Sequence, residues 1–500
     1  MDTQTGESRK IGPTIAHLDR LFIGGAWVKS IDGGALEVVS PNTEQIVART
    51  AAAGPADMDR AVLAARKAFD EGPWPRTPPA ERARMLRRLG EALQSRHEEI
   101  GAAWMMQMGG LPSLAPLMAI FGTANVMNTV EVGEAFLFEE TVKSGIAPQG
   151  ILVHEAVGVV AAIAPWNAPY MLMTNKVAPA LMAGCSVVMK PSPETPLEAY
   201  IIAECAEKIG LPEGALNLVP ADREAADHLI SNPGVDKVSF TGSTAVGRRI
   251  ASVCGARVAR YTLELGGKSA AIVLDDFAIQ DAAKLLVGTI TLMSGQICSM
   301  LSRVIVPRPR HDALAQAIAD EMRSIRVGYS DAPDTQMGPL ASKRQLERVQ
   351  KYVENGKVGG ATLATGGSRP SNLSRGYFLE PTLFVNVDNR ATIAQEEIFG
   401  PVLSLIPCED VDDAVRIAND SIYGLHGAVL THDASAAYQV GRRVRAGSFA
   451  QNGMKTDFGL PHGGFKQSGI GREGASEGLK AYLETKAMLF DSAPTNTAGG

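Results

Sequence analysis

The sequence predicts an α/β fold built around parallel β-sheets. From residue 157 to residue 274, short apolar or β-branched runs alternate with helical segments, which is the pattern of repeated βαβ units. Glycine is abundant, at 51 of 500 residues, and suits the many tight turns of such a fold. We interpret five runs as strands: Val157–Ile163, Ser186–Met189, Leu216–Val219, Lys237–Phe240 and Tyr261–Leu265.

The intervening segments have helical periodicity, with apolar residues every three or four positions. The predicted helices are Ala56–Phe69, Ala80–Trp104, Thr195–Ile209 and Arg223–Ile230. A second α/β region begins after Gly266 and runs to about Gly471, with predicted strands at Ala270–Leu274, Arg303–Val306 and Val402–Ile406. Turn residues between short apolar runs indicate a hairpin in Thr141–Glu155. In a parallel sheet of this kind, a ligand is expected in a crevice at the carboxyl ends of the strands.

The composition is that of a globular protein, with 45% hydrophobic and 20% charged residues. Lys and Arg total 48 and Asp and Glu total 54, giving a net charge of −6 and no reason to expect nucleic acid or an anionic membrane as a partner. Five cysteines are too few for a disulfide framework, and no signal peptide is visible, so we expect a cytoplasmic protein. The apolar stretch 156–173 contains Pro165 and Pro169 and reads as a buried strand, a loop and a helix. We expect flexible tails at 1–20 and 493–500.

Three polar residues could carry chemistry. Cys298 is the one cysteine flanked by turn and polar residues, whereas the other four lie in apolar patterns typical of a core. Glu264 lies between two leucines at a strand end, where partial burial would raise the pKa toward that of a general base; an edge-exposed ion pair with Lys268 is the alternative. Asn167 could donate to an oxyanion or cap the next helix. The eight histidines are scattered without ligand spacing, so no metal site is expected.

Two glycine motifs need separate interpretation. The segment 242–247 has the glycine spacing of a phosphate-binding loop, but Arg248 and Arg249 replace the lysine and hydroxyl residue that a nucleotide triphosphatase needs. What remains is a helix N-terminus with small residues, which could hold a phosphate or serve structure alone. The segment 469–474 matches G-x-G-x-x-G without a preceding strand, and we interpret it as a turn that opens a C-terminal helix.

Taken in order, seven motifs resemble the NAD(P)-dependent aldehyde dehydrogenase family over about residues 21–486. They are Pro165-Trp-Asn167, Met189-Lys-Pro191, Phe240-Thr-Gly-Ser243, Leu263-Glu-Leu-Gly-Gly-Lys268, Gly295-Gln-x-Cys298, Glu397-Ile-Phe-Gly-Pro401 and Gly463-Gly-Phe-Lys-Gln-Ser-Gly469. The resemblance implies a Rossmann-type parallel-sheet cofactor domain (21–138 and 156–266) and an α/β catalytic domain (267–471). It also implies a β-hairpin oligomerisation arm, formed by bridging segments 139–155 and 472–492.

The same resemblance implies the chemistry. Cys298 would attack the aldehyde carbon, Asn167 would hold the oxyanion, and Glu264 would activate the water that hydrolyses the thioester. Lys176 and Glu473 would relay protons from Glu264. The implied cofactor-binding residues are Ile163, Trp166, Lys190, Gly242, Ser243, Leu265, Glu397 and Phe399.

The implied cofactor is NAD, with NADP possible. A glutamate three places after the lysine often excludes the 2′-phosphate in this family, but here that position is Pro193 and Glu194 follows it. Arg223 could meet a 2′-phosphate or merely cap a helix.

The substrate tunnel predicted from the family pattern is roomy, because aromatic residues common there are replaced. Its predicted residues are Ala168, Met171, Asn175, Ile297, Ser299, Phe458, His462 and Phe465. A medium-to-large apolar aldehyde and a homodimer or homotetramer are therefore expected. Two alternatives stay open: a CoA-acylating semialdehyde dehydrogenase, which usually lacks the base, and a catalytically silent binding relative.

Overall fold

The computed structural model describes residues 12–494 and contains four β-sheets. The strands of the described chain are β1 (Leu21–Ile23), β2 (Ala26–Val28), β3 (Gly34–Val39), β4 (Ile46–Ala52), β5 (Glu139–Val142), β6 (Gln149–Ala156), β7 (Val159–Ile163), β8 (Ser186–Lys190), β9 (Leu216–Leu218), β10 (Lys237–Thr241), β11 (Arg260–Glu264), β12 (Ser269–Val273), β13 (Leu301–Pro307), β14 (Thr362–Thr365), β15 (Thr382–Val385), β16 (Val402–Cys408), β17 (His426–Leu430), β18 (Ser448–Gln451), β19 (Gly469–Ile470) and β20 (Leu483–Phe490).

Helices pack around these sheets, and several begin at a proline or at a side chain that caps the first turn. They are α1 (Pro55–Asp70), α2 (Pro79–Gln94), α3 (His97–Met108), α4 (Ala115–Ala135), α5 (Pro169–Ala183), α6 (Leu197–Lys208), α7 (Arg223–Ser231), α8 (Thr244–Ala256), α9 (Ile279–Thr291), α10 (Arg308–Ser324), α11 (Lys343–Val358), α12 (Thr392–Gln395), α13 (Val411–Asn419), α14 (Ala434–Arg443) and α15 (Ala475–Lys480). Short 3₁₀ turns occupy Trp74–Arg76, Leu292–Gly295 and Lys466–Ser468.

An eight-stranded sheet contains the five strands predicted between residues 157 and 265. Its order is β19-β11-β10-β7-β8-β9-β1-β2, and the central five strands are parallel. The chain leaves β7 for β8 on one side and later returns to β10 on the other, so the strand order reverses beside β7. A ligand crevice opens at such a point, at the carboxyl ends of the strands.

Strand register aligns the ends of these strands. Lys190 of β8 pairs with Ile163 of β7, which pairs with Phe240 of β10, which pairs with Leu263 of β11. The residues at the ends of these strands, and those that directly follow them, therefore lie together along the carboxyl edge of the sheet. β19 adds an antiparallel edge to β11, so Gly469–Ile470 belong to this sheet although their sequence position suggested the catalytic domain.

The second sheet has seven strands in the order β14-β15-β16-β13-β12-β17-β18, and all of its pairs are parallel except the edge pair β14–β15. It contains the three strands predicted after residue 266. The chain passes from β11 to β12 through Leu265–Lys268, so one short segment joins the two sheets.

The predicted hairpin is present as β5 and β6, which pair antiparallel. β20 pairs along the full length of β6 and completes a three-stranded sheet, as expected for the arm. This confirms the α/β fold with its additional β-hairpin segment.

The helix predicted over Ala80–Trp104 is two helices, α2 and α3, that are separated at Ser95 and Arg96. The guanidinium of Arg96 bonds to Glu99, Glu204 and the carbonyl of Thr14. These contacts also explain why residues 14–16, within the predicted flexible tail, lie against α3 and α6. Of the predicted flexible tails at 1–20 and 493–500, residues 1–11 and 495–500 lie outside the described residues.

Within residues 12–494, no helix combines the length and the apolar character that crossing a membrane requires. The large apolar clusters lie between the sheets and their helices, and the stretch 156–173 is split between β6, β7 and the start of α5.

Candidate active site

Cys298 lies in the loop between α9 and β13, after a turn with unusual backbone geometry. Met293 and Ser294 have positive φ values of 50° and 53°, which are strained for residues other than glycine. The Ser294 hydroxyl holds the turn by donating to the Gly338 carbonyl at 2.8 Å. Backbone strain of this kind in a loop is typical of a functional site. The Cys298 side chain itself is half-buried.

The loop joining the two sheets brings Glu264 and Cys298 into one crevice. A Cβ atom at Gly267 would lie 2.4 Å from the Cys298 carbonyl oxygen, so only glycine permits this approach. Burial, together with the negative charges of Glu397 and Glu264, raises the pKa of the Cys298 thiol to about 12. The thiol is therefore protonated at neutral pH in this arrangement, and an added positive charge would be needed to ionise it.

Asn167 lies in the loop between β7 and α5 and is buried. Its side-chain amide donates to the Gln296 carbonyl at 3.0 Å, and its own carbonyl accepts from the Trp104 indole at 3.2 Å. An amide nitrogen carries two hydrogens, so one fixes the side chain on the nucleophile loop and the other can serve an oxyanion. Asn167 makes no side-chain cap for α5, which disfavours the capping interpretation.

Glu264 ends β11 and is 4% exposed, so the surface ion pair with Lys268 considered from the sequence is absent. Neither carboxylate oxygen has a hydrogen-bond partner among the described residues. Burial and the nearby charge of Glu473 raise the pKa of Glu264 well above its usual range, and the positive charges of Lys176 and Arg472 oppose that shift. A carboxyl group in this environment is suited to accept a proton.

Lys176 and Glu473 form a buried ion pair beside Glu264, with side chains 0% and 3% exposed. Lys176 also donates to the Thr241 hydroxyl at 2.6 Å, and Asn175 donates to the second oxygen of Glu473 at 2.7 Å. These four residues come from α5, β10 and the segment before α15, so they join three parts of the chain. The structure thus brings together the two residues predicted to relay protons.

The cofactor residues predicted on the eight-stranded sheet lie along its carboxyl edge. Ile163 and Lys190 end neighbouring strands, and Gly242 and Ser243 precede α8. The Ser243 hydroxyl accepts from the Val246 N–H at 3.4 Å as the helix cap. Burial lowers the pKa of Lys190 to about 8, while the charges of Glu194 and Asp222 oppose the shift.

The remaining predicted cofactor residues meet across the crevice. The Trp166 and Phe399 rings are edge to face with centroids 5.3 Å apart, and Phe399 has a positive φ of 62°. Glu397 accepts from the Gly267 N–H at 3.2 Å, and burial raises its pKa to about 7. Leu265 packs closely against α8, and a Cβ atom at Gly247 of that helix would lie 2.5 Å from the Leu265 side chain.

The donor set of this crevice fits a dinucleotide. An ammonium at a strand end suits hydroxyl groups, a helix N-terminus suits a phosphate, and a buried carboxylate suits a ribose hydroxyl. A Cβ at Gly266 would lie 2.4 Å from the Glu397 carboxylate, so the glycine is needed for that side chain to reach the crevice.

The residues predicted for the substrate tunnel divide into groups. Asn175 and Phe458 line one cavity with Asn125 and Val132 of α4, and Met171 lies one turn before Asn175 on α5. The Phe458 ring packs on His462 with centroids 4.9 Å apart. The other predicted residues do not line this cavity. Ala168 and Ser299 are buried, and Ile297 is half-buried beside Cys298. Phe465 is 40% exposed, and its ring faces the Arg472 guanidinium.

Sequence reasoning missed three residues that organise the site. Thr241 holds Lys176, Gln296 accepts from Asn167, and Ser468 bonds to the Gly266 carbonyl at 2.7 Å. Each lies within a quoted motif or directly beside one, so the motifs pointed to the right segments but not to these contacts.

Known proteins resemble this chain over most of its length. Residues 27–488 match the family model described as the aldehyde dehydrogenase family. A geranial dehydrogenase of Castellaniella defragrans is 41% identical over 478 residues, covering 95% of this chain and 99% of that protein.

Two solved structures are similar over nearly the whole chain. A Mycobacterium tuberculosis aldehyde dehydrogenase complexed with NAD⁺ has a TM-score of 0.93 and 41% identity, covering 95% of this chain and 99% of that one. A mutant of aldehyde dehydrogenase C from Pseudomonas syringae, complexed with NAD⁺ and octanal, has a TM-score of 0.92 and 37% identity, covering 97% and 100%. The chain therefore belongs to the aldehyde dehydrogenase family, whose members are oxidoreductases that act on the aldehyde group.

Proposed function

We propose that this protein oxidises a medium-to-large apolar aldehyde to the carboxylic acid, with NAD as the acceptor, through a covalent intermediate on Cys298. The observation that carries the proposal is that a thiol and an amide N–H converge with a carboxyl group that has no hydrogen-bond partner within residues 12–494. Cys298, Asn167 and Glu264 come from three separate segments and meet where the two sheets join.

In the first half of the reaction, the Cys298 thiolate attacks the aldehyde carbon and forms a thiohemiacetal. The free Asn167 N–H would donate to the oxyanion, a contribution typically worth about 3 kcal/mol. NAD⁺, when bound, would supply a positive charge that favours the thiolate and would serve as the hydride acceptor. Lys190, Ser243 and Glu397 would hold it, and the loss of hydride leaves a thioester on Cys298.

In the second half, Glu264 takes a proton from a water molecule that attacks the thioester, and the acid leaves as the thiolate is restored. The raised pKa of Glu264 suits this role, because a stronger base forms on ionisation. Lys176 and Glu473 would return the proton to solvent through their hydrogen-bonded pair. The presence of Glu264 favours water over CoA as the acceptor of the acyl group.

The charges around Lys190 favour NAD over NADP. Glu194 and Asp222 both act on the Lys190 ammonium, so two carboxylates lie near the predicted adenine-ribose site. Glu194 is held there by Arg344 at 2.9 Å and by the Ser192 hydroxyl. A 2′-phosphate would meet these negative charges, so we expect NADP to be used measurably but less efficiently.

Two observations support an apolar substrate of some size. No aromatic residue stands beside Cys298 at Ile297 or Ser299, although the cavity beside the site carries polar as well as apolar side chains. The relatives named above act on geranial in one case and bind octanal in another. We therefore expect higher kcat/KM for octanal and citral than for acetaldehyde.

The nucleophile is tested with Cys298→Ala. Aldehyde oxidation should be abolished while NAD binding, measured by protein fluorescence, persists. Cys254→Ala is the matched control, because that thiol is buried in the core beside β11 and should leave turnover near the unmodified level. Substantial turnover by Cys298→Ala would overturn the mechanism.

The general base is tested with Glu264→Gln. If Glu264 serves deacylation, this variant should show a burst of reduced cofactor followed by slow turnover. Adding CoA to the unmodified enzyme and to Glu264→Gln distinguishes hydrolysis from acyl transfer to CoA. Formation of acyl-CoA by the unmodified enzyme would assign the CoA-acylating reaction.

Substrate size is tested with Met171→Trp, which adds bulk on the α5 face that carries Asn175 one turn later. This variant should lower kcat/KM for octanal and citral while leaving propanal nearly unchanged. Met171→Leu conserves volume and serves as the control. A preference of the unmodified enzyme for acetaldehyde or a charged semialdehyde would contradict the proposal.

We also propose that the three-stranded sheet mediates self-association as a dimer or tetramer. β5 and β20 are its outer strands, and Leu489 on β20 is 53% exposed. Open strand edges of this kind commonly pair with another chain. Light scattering should report a dimer or tetramer, and Leu489→Lys should shift it toward the monomer.

A further inference from the structure

In the described part of the chain, the base Glu264 has three basic neighbours, and two of them are already engaged. Lys176 is bonded to Glu473 and Thr241, and the Arg472 guanidinium donates to the carbonyls of Gly464 and Gly471. The third is His462, whose Nε2 lies 4.0 Å from Oε2 of Glu264. Both oxygens of Glu264 lack a partner among the described residues, so His462 is the neighbour that could supply one.

The backbone holds His462 in place beside the base. The His462 N–H donates to the Glu473 carbonyl at 2.7 Å, and the Glu473 N–H donates back to the His462 carbonyl at 2.8 Å. The Phe458 ring packs against the imidazole on another side. At the next residue, a Cβ on Gly463 would lie 2.8 Å from Oε1 of Glu264, so the absence of a side chain there allows the approach.

We propose that His462 positions Glu264 for deacylation, with its neutral imidazole donating the Nε2–H to the carboxylate once a small side-chain movement closes the gap. This inference rests on the proposed function, because it assigns a partner to the proposed base. It also gives His462 a role that differs from lining the substrate tunnel: a phenyl ring would fill the same space without donating a hydrogen.

The surrounding charges agree with a neutral donor. His462 faces Glu473, Lys176 and Arg472, and His426 lies farther along the same interior. Burial is the main influence and lowers the pKa of His462, so the ring is uncharged near neutral pH. A donor to the ionised form lowers the pKa of a carboxyl group. His462 would therefore offset part of the burial that raises the pKa of Glu264 and keep the base available at lower pH.

The test compares His462→Phe with His462→Gln, whose amide retains an N–H donor. An activated ester, 4-nitrophenyl acetate, acylates Cys298 without hydride transfer, so deacylation can be followed by itself. NAD⁺ is included in the assay, because its positive charge favours the thiolate in the proposed reaction. The nitrophenolate burst counts the competent sites and corrects for any misfolded protein. The steady rate after the burst is measured as a function of pH.

We expect His462→Phe to shift the acidic limb of the deacylation profile upward by about one pH unit, a roughly tenfold loss on that limb. His462→Gln should restore most of the shift. In the Glu264→Gln background, the same His462→Phe change should have little effect on deacylation.

An unshifted limb in His462→Phe, or an equal effect of that change with and without Glu264, would overturn the positioning role. The proposed function fails differently. If Glu264→Gln alone leaves deacylation unchanged, the assignment of the base is wrong whatever the His462 variants do.

Discussion

The cofactor side and the hydrolytic side of the crevice hold buried charge in different ways. On the cofactor side, neither Lys190 nor Glu397 forms a direct ion pair among residues 12–494, and burial shifts the pKa of each toward its neutral form, to about 8 and about 7. On the hydrolytic side, Lys176 and Glu473 neutralise each other in a direct ion pair. In the first arrangement, the buried charges gain their partners only when a ligand binds. In the second, the protein alone supplies both partners of the ion pair.

Because of this difference, substitutions on the two sides should affect ligand binding and folding stability differently. Removing a charge that awaits a ligand relieves a desolvation cost and weakens ligand binding. Removing one member of a buried pair leaves the other member uncompensated and destabilises the fold. The comparison therefore predicts opposite stability effects for two buried lysines of the same site.

Lys176→Met carries the largest expected effect. It should lower the free energy of unfolding by about 3–5 kcal/mol, because it leaves the Glu473 carboxylate buried without its cation. The double variant Lys176→Met with Glu473→Gln should recover much of that loss. Urea denaturation measures both.

Lys190→Met is the matched control for that comparison. The Lys190 ammonium is also buried, but it has no direct ion pair among the described residues, and burial lowers its pKa. The variant should therefore unfold at the same urea concentration or a higher one. Its KM for NAD should rise. Equal destabilisation by the two methionine variants would remove the distinction between the two sides.

Asn167→Ala comes next. Losing the oxyanion donor should reduce kcat by about 10²–10³-fold. Asn167→Asp keeps the shape but removes the donor, so it should be impaired as well. NAD affinity should stay nearly constant in both, and a kcat within a few-fold of the unmodified enzyme would argue against the role of the amide.

The cofactor side was the easier one to predict from sequence. Its residues end strands such as β8 and β10, and apolar runs mark those strands clearly because both faces of the sheet are buried. Once the strand order is known, the alignment of Lys190 with Ile163 follows from the register. The aldehyde dehydrogenase resemblance added the identities of Glu397 and Phe399, which lie far along the chain.

The hydrolytic side depends on contacts that no local pattern reveals. The proximity of His462 to Glu264 follows from the paired backbones of His462 and Glu473, in an irregular segment with many glycines. The break between α2 and α3 has the same origin, because Arg96 bonds to Glu204 on another helix. Tertiary ion pairs of this kind override the helical periodicity by which we predicted a single helix.

Glu264→Gln tests the desolvation of the base through stability. The pKa of Glu264 is raised in the folded protein, so its contribution to stability is present at low pH and is lost as pH rises through the folded pKa. Glutamine resembles the protonated acid and has no such loss. The variant should therefore gain thermal stability relative to the unmodified enzyme as pH rises from about 5 to 9, the region above the ordinary carboxyl pKa. Calorimetry at matched pH values would show a constant difference if Glu264 were not desolvated.

Glu194→Gln carries the smallest expected effect and sharpens the comparison on the cofactor side alone. Neutralising this carboxylate beside Lys190 should raise kcat/KM for NADP by about tenfold, the equivalent of about 1.4 kcal/mol, and change that for NAD much less. Asp222→Asn should add to the effect, since Asn still caps α7 while removing the second charge. Glu91→Gln, an exposed position on α2, controls for the change in net charge.

If Glu194→Gln leaves the cofactor ratio unchanged but Asp222→Asn alters it, the discriminating carboxylate is Asp222. If neither variant alters the ratio, the selectivity lies in the shape of the crevice rather than in its charge, and the electrostatic account of NAD preference fails.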